Sequence, residues 1–446
     1  MIDKNKSNNY FKDREKHNFM EGHSKVGIEK NILGFAYKNK DIILKLFPIK
    51  LIRKIKLFLV KKNFKKIGKV EIKKYDMGKY PSGINIIGSI KAETGLGESC
   101  RLLAKEVSNT SYPFMIYNYS QIGQMRENDD RWDNKIEKEC KYGINIIHIN
   151  PNEFVVAALQ LPKDIWDYRY NIGFWLWEFE EIPDQWLDCS SILNEIWTPS
   201  DFITKSLSKK FNIPIKTVPY AIQVEVDNIY DRKFFNLPED KFLFLMMYDK
   251  NSISDRKNPK SVIDAFKEAF PKEKTEVGLV IKIGTSDKNE LNEVKAYIGD
   301  YSNVYFIDEM LSKVQVNSLI NIADVAVSLH RAEGFGLVLA EAMYLGKPTI
   351  GTNWSSNIEF MNKNNSCLVD YKLVELPKDN GPFRKGWKWA EPDVKNAAFY
   401  MKKLYCNKEY YNEISKNAFS DIRKTLGIDR SKLLIEKNIK EISVES

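Results

Sequence analysis

The chain has 446 residues, 43% of them hydrophobic and 29% charged, which excludes a disordered chain and a single small binding module and points to two or three domains. Its net charge of +9 is uneven, because residues 1–80 hold 22 Lys/Arg against 8 Asp/Glu and the remainder is net negative. No apolar run approaches the roughly 18 residues of a membrane span, and no apolar segment follows the charged first 20 residues as in a secretory signal, so a cytoplasmic protein is expected.

In chain order, residues 1–30 are polar and rich in Asn and Lys, a composition that does not build a core. Asp41 to Phe47 reads as a short helix closed by Pro48. Between Lys50 and Lys74 lie eleven basic residues and one acid, Glu71, interleaved with Leu51, Ile52, Ile55, Phe58, Leu59 and Phe64 at helical spacing. Such an amphipathic helix either lies in an anionic membrane surface, each cation there being worth about 1 kcal/mol, or packs its apolar stripe on the protein. Residues 41–74 are therefore a candidate membrane contact at the inner membrane face, and confinement of the charge to this extension argues against a nucleic-acid partner.

Beyond residue 80, short apolar runs alternate with amphipathic segments of helix length, the pattern of a parallel α/β sheet. Ile84–Ser89, Ile144–Ile149, Asn171–Trp175, Glu195–Thr198 and Lys216–Val218 read as strands of one domain. Phe242–Met247, Val277–Ile283, Val304–Ile307, Val325–Leu329, Pro348–Gly351 and Ser366–Val369 read as strands of a second, with helices Lys260–Phe270, Asn289–Ile298, Val314–Ile322 and Leu337–Leu345 between them. The expected organisation is an extension over 1–80, an amino-terminal Rossmann-like domain over 81–225, a carboxyl-terminal Rossmann-like domain over 226–424, and a helix over 425–446 returning to the first domain. Ligands then bind in the cleft between the domains, at the carboxyl ends of strands. Five cysteines at least 39 residues apart and four histidines fit neither a disulfide framework nor a clustered zinc site, so no metal is expected.

The segment His330 to Met343 (HRAEGFGLVLAEAM) joins an apolar strand to a helix through a turn with two glycines. Free amides and the positive end of a helix suit a diphosphate there. Glu333, before the turn, and Glu341, inside the helix, suit sugar hydroxyls instead, since a carboxylate only accepts hydrogen bonds. Arg256-Lys257-Asn258-Pro259 places two cations between a strand and a helix start, a sound site for a phosphate. Gly95-Leu96-Gly97-Glu98 comes after the first strand and opens a helix, and His148 closes another strand at the edge facing the cleft. The aromatic and acidic run Phe174 to Pro183 (FWLWEFEEIP) is either an acceptor platform or core, whereas Trp387 to Asp393 reads as structural.

Over about residues 83–420 the chain resembles the retaining glycosyltransferases of family 4, which have a GT-B fold of two Rossmann-like domains facing a cleft. Their signature is two glutamates separated by seven residues around a Gly-rich loop, matched here by Glu333 and Glu341. The resemblance implies that the first domain takes the acceptor and the second the nucleotide sugar. It also implies that Glu333 approaches the donor sugar, that Glu341 holds the nucleotide ribose, and that the amides of Gly334, Phe335, Gly336 and Leu337 meet the diphosphate. Lys257 and Arg256 match the basic turn that pairs with that diphosphate, although Ser252 stands where an Arg is commoner. Gly95 and Gly97 match the first loop of the amino-terminal domain, and His148 the histidine that touches the donor sugar. The implied activity is metal-independent transfer of a hexose, with retention, from a nucleotide diphosphate sugar to a glycan or lipid-linked glycan acceptor in surface polysaccharide or lipopolysaccharide biosynthesis. A sugar-nucleotide epimerase, which forms product without an acceptor, and a non-catalytic sugar-nucleotide binding protein are the alternatives on the same fold.

Overall fold

The computed structural model describes residues 62–120, 126–249, 254–284 and 288–444. In the first domain, strands β1 (Ile84–Gly88), β2 (Phe114–Asn118), β3 (Ile144–His148), β4 (Tyr170–Phe174), β5 (Glu195–Thr198) and β6 (Ile215–Thr217) form a parallel sheet in the order β2-β1-β3-β4-β5-β6. Helices α1 (Gly95–Ser108), α2 (Pro151–Gln160) and α3 (Asp201–Ser208) connect them. The isoleucines of β1 and β3 are buried on both faces, as a sheet covered by helices demands. Register is fixed by an asparagine ladder within the sheet. Asn85 Nδ2 donates to Asn145 Oδ1 at 2.8 Å, and Asn145 Nδ2 to Asn171 Oδ1 at 2.7 Å, on paired positions of β1, β3 and β4. A one-residue slip would leave these buried amides unpaired.

The second domain holds β7 (Phe242–Asp249), β8 (Val277–Gly284), β9 (Val304–Ile307), β10 (Val325–Ser328), β11 (Thr349–Thr352) and β12 (Cys367–Val369), in the order β12-β11-β10-β7-β8-β9 and all parallel. Its helices are α4 (Pro259–Ala269), α5 (Lys288–Ile298), α6 (Lys313–Ile322), α7 (Leu337–Tyr344), α8 (Val394–Cys406) and α9 (Lys408–Thr425). An antiparallel hairpin of β13 (Tyr371–Glu375) and β14 (Lys388–Pro392) stands apart from the sheet. In each sheet the chain reverses its direction of growth once, between β1 and β3 in the first and between β7 and β10 in the second. Loops leaving neighbouring strands there turn opposite ways and open a crevice at the carboxyl ends.

The chain passes between the domains twice, and the two crossings are joined by a backbone bond from Ile222 N to Leu426 O of 2.8 Å. Helix α10 (Ile428–Val444) then lies on the first domain, with Ile435, Ile439 and Ile442 in the same buried cluster as Ile84, Leu103 and Val107. Lys216 binds Glu441 at 3.0 Å.

The basic extension departs from the expected continuous helix. Residues 62–67 are helical, and Phe64 and Ile67 are fully buried beside Trp186 and Cys189 of the first domain, a burial worth about 1.5–3 kcal/mol for each side chain. Gly68 ends the helix, and the next segment is tied to the domain by bonds from Lys73 N to Asp167 Oδ1 and from Tyr168 N to Lys73 O. Residues 62–74 therefore use their apolar side chains on the protein itself. Residues 41–61 lie outside the described residues. Among the described residues no helix is long and apolar enough to cross a membrane.

Candidate functional site

The crevice of the second domain is lined by the loops that leave β7 and β10. After β7, a helical turn, Ser254–Lys257, ends at Asn258, whose left-handed backbone (φ 54°) leads into Pro259 at the start of α4. Asn258 Nδ2 donates to Leu329 O at 3.1 Å, and Arg331 N donates to Arg256 O at 2.8 Å, so the two loops hold each other. This brings Lys257 into an ion pair with Glu333, while Arg256 Nη1 lies 3.5 Å from the same carboxylate. Burial by itself would raise the Glu333 pKa, but Lys257 first and Arg256 next outweigh it and hold the carboxyl well below its usual range. Burial pushes the Lys257 ammonium below the usual lysine range despite Glu333. Arg256 also donates to Ala332 O at 2.7 Å, and Glu178, arriving from the first domain, lies 3.7 Å from its guanidinium.

The two glycines after Glu333 do separate work. A Cβ on Gly334 would lie 2.9 Å from the Trp177 carbonyl of the first domain, so this residue lets the two backbones approach. Gly336 has φ 94° and begins α7 without any side chain to cap the first amides, which leaves the N–H groups of Leu337 and its successor directed out of the helix end. Phe335 is buried against Tyr220, with ring centroids 4.8 Å apart, and anchors the loop. Glu341 lies in the next turn with its side chain 5% exposed and paired with Lys313, the first residue of α6. Burial raises its pKa, Lys313 opposes that, and Glu98 of the first domain adds to it.

From the first domain, Gly95, Gly97 and Glu98 form the start of α1 after β1. A Cβ at Gly97 would meet the Ala92 carbonyl oxygen at 2.0 Å, whereas at Gly95 it would meet nothing within 4 Å among the described residues. Gly97 is thus required by the turn, and Gly95 borders open space among the described residues. Buried Arg101 shapes this loop by donating to Ile90 O and Ala92 O at 2.7 and 2.8 Å, and its Nε binds Glu98 at 2.9 Å. His148 closes β3 but is buried, stacked on Phe174, with Nε2 2.6 Å from Ser99 Oγ, which also binds Tyr220. Burial lowers its pKa to about 4, so it is a neutral hydrogen-bonding group at neutral pH. Through Tyr220 this chain of contacts reaches Phe335 and the glycine loop.

The structure thus gathers Arg256, Lys257, Glu333, Gly334, Phe335, Gly336, Leu337 and Glu341 at one crevice, brings Gly95, Gly97 and Glu98 towards it, and places His148 beneath the loop. Trp177 and Phe179 are core between the domains: Phe179 stacks on Phe383 at 4.2 Å, and Trp177 packs on Trp186 at 4.6 Å. Glu178, between them, turns instead to the cation cluster. Nothing local in the sequence singles out Lys313, because its partner lies 28 residues away with no pattern joining them. The capping box of Ser312 and Gln315 is the one available signal, since it marks the start of α6. Among the described residues no group of three or more His, Cys, Asp or Glu is placed to hold a metal ion.

Residues 227–421 match the family described as glycosyl transferases group 1. Over these residues the second domain is similar to the group 1 glycosyl transferases. Its family segment runs from the first crossing to α9 and contains the whole crevice just described, apart from the residues supplied by the first domain. No curated protein sequence is significantly similar to the chain. The whole architecture is that of GT-B proteins. Anabaena HepE, in a crystal structure with UDP and glucose, superposes with a TM-score of 0.60 at 13% identity, covering 81% of this chain and 100% of that one. A glycosyltransferase from Rickettsia africae gives 0.60 at 13% identity over 82% and 100% of the two chains. The sucrose-phosphate synthase of Thermosynechococcus elongatus gives 0.59 at 12% identity over 82% and 100%. At these identities the likeness is one of fold.

Proposed function

We propose that the protein is a metal-independent retaining glycosyltransferase that moves a hexose from a nucleotide diphosphate sugar to a hydroxyl of a glycan or lipid-linked glycan in surface polysaccharide or lipopolysaccharide synthesis. The observation that carries this reading is the juxtaposition, at the reversal point of the second sheet, of two cations and an uncapped helix start with a carboxylate on each side. The cations and amides suit the diphosphate, Glu341 the ribose hydroxyls and Glu333 the hexose. HepE, which shares the fold and has been crystallised in complex with UDP and glucose, supports a sugar nucleotide as donor.

In the reaction the bond between the anomeric carbon and the diphosphate oxygen breaks with its electron pair on the diphosphate. The acceptor oxygen bonds to the same face of that carbon, and its proton passes to a leaving phosphate oxygen. Lys257, Arg256 and the α7 amides stabilise the charge that develops on the departing group. Glu333 in turn holds the Lys257 ammonium in the crevice. The acceptor enters from the first domain, where Gly95 borders open space among the described residues. The lysines of residues 41–74 support an inner membrane face as the place of work, with Phe64 and Ile67 reserved for the fold.

The test incubates the full chain with UDP- and GDP-hexoses labelled in the sugar, together with membranes and soluble glycans. Label should pass to an organic-extractable product with the donor's anomeric configuration. Inverted product would overturn retention, sugar epimerised without acceptor would make the protein an epimerase, and donors untouched by folded protein would overturn the reading. The same chain should sediment with anionic but not neutral vesicles, and a chain lacking residues 1–61, which keeps only the lysines from Lys62 on, should sediment much less. Equal sedimentation of both would contradict the membrane role.

A further inference from the structure

Lys313 is paired with a carboxylate of its own domain and within electrostatic reach of one from the other. Its ammonium, on a side chain 21% exposed, pairs with Glu341, on one 5% exposed. It is also the leading favourable charge on Glu98 of α1. Glu98 is fixed from behind by Arg101 Nε and Arg131 Nη2, each at 2.9 Å, and Asp129 lies 2.7 Å from Arg131 and 3.3 Å from Arg101. The groups facing Glu341 are thus Lys313 on α6 and Glu98 on α1, with Arg101, Arg131 and Asp129 behind Glu98.

A carboxylate so deeply buried is unstable as an anion unless a cation meets it. As an anion it can accept from both hydroxyls of a ribose, whereas as an acid it has a proton of its own to place. Among the described residues, the cation set against Glu341 is the one on α6, whose start is fixed by the Ser312 and Gln315 capping box.

We propose that Lys313 is a positioning residue for the nucleotide: paired with Glu341, it fixes that carboxylate as acceptor of the ribose hydroxyls and, by its attraction to Glu98, couples nucleotide binding to the approach of the two domains. The proposal rests on the reading that Glu341 holds the ribose. Without Lys313, Glu341 is left with burial and the Glu98 charge, both of which favour the protonated form. Nucleotide affinity then falls with decreasing pH from a higher pH than in the unaltered protein, because only the ionised carboxylate serves. Removing the Glu98 charge in that background relieves part of the effect.

The experiment titrates UDP and GDP by calorimetry between about pH 6 and pH 9, a range inside the ordinary carboxylate-to-lysine interval, into the full chain and its variants. Lys313→Met, which keeps the apolar stem, should bind the recognised nucleotide about tenfold more weakly at neutral pH, the loss of one charge-assisted contact, and recover as pH rises. Lys313→Arg should bind as the parent does, and Lys313→Met with Glu98→Gln should regain part of the affinity. An unchanged affinity in Lys313→Met, or a loss that does not vary with pH in a variant that melts like the parent, would overturn the proposal. Glu341→Ala is titrated alongside. If it too leaves nucleotide affinity intact, the assignment of the ribose to Glu341 fails; if it alone weakens binding, only the role of Lys313 fails.

Discussion

Lys257→Ala is expected to lower kcat/KM by roughly 10- to 150-fold, the loss of one charge-assisted contact worth about 1.5–3 kcal/mol in the transition state. The ammonium is held at the crevice by Glu333. Arg256→Ala should give a comparable or smaller kinetic loss but a second, separate effect. Arg256 is 5% exposed and donates to the Ala332 carbonyl, so truncation leaves that buried oxygen unmatched and should cost about 1–3 kcal/mol of stability. Urea unfolding alongside steady-state kinetics separates the two residues. Unchanged kinetics in both single variants and in the double variant would rule out the diphosphate clamp.

Glu341→Ala and Glu333→Ala should divide binding from transfer. Glu341 is the inner carboxylate, so its loss should weaken binding of the free nucleoside diphosphate by about tenfold or more, as expected for a charge-assisted bond. Glu333→Ala should leave nucleotide affinity equal or slightly higher, because Lys257 and Arg256 lose the anion that pairs with them, while transfer falls at least about tenfold. Equal loss of nucleotide affinity in both variants, measured by calorimetry, would contradict this division of roles.

Both sheets are legible in the sequence because their strands are buried on both faces and therefore read as unbroken apolar runs, as in Ile144–His148 and Val277–Gly284. Phe114–Asn118 is harder to recognise as a strand: it lies at the edge of its sheet, ends in half-buried Tyr117 and Asn118, and carries no flanking motif to draw attention to it. The β13–β14 hairpin is hidden for a different reason, since its strands do not alternate and its buried Trp389 packs on Phe179 of the first domain and not in a sheet core. The glycine loop and the two glutamates can be read because a strand, a turn and a helix start are local features. Charge pairing across the cleft is not local. Glu98, Glu178 and Lys313 reach the site from three separate elements, and only the assembled fold sets them against Arg256 and Glu341. In the extension, the basic run continues to Lys74, past the last of the helically spaced apolar residues, Phe64, but Gly68 and the bonds of Lys73 to Asp167 and Tyr168 end the helix sooner.

The central claim is that one crevice binds the donor, its diphosphate on Lys257 and the start of α7 and its ribose on Glu341. A crystal structure of the full chain with the nucleoside diphosphate that binds it tests this most directly. Phosphate oxygens are expected within hydrogen-bond distance of the Lys257 ammonium and the Leu337 amide, and ribose hydroxyls on the Glu341 carboxylate with Lys313 still beside it. A nucleotide seated elsewhere, or one whose phosphates lie over Glu341 and whose ribose faces Lys257, would contradict it.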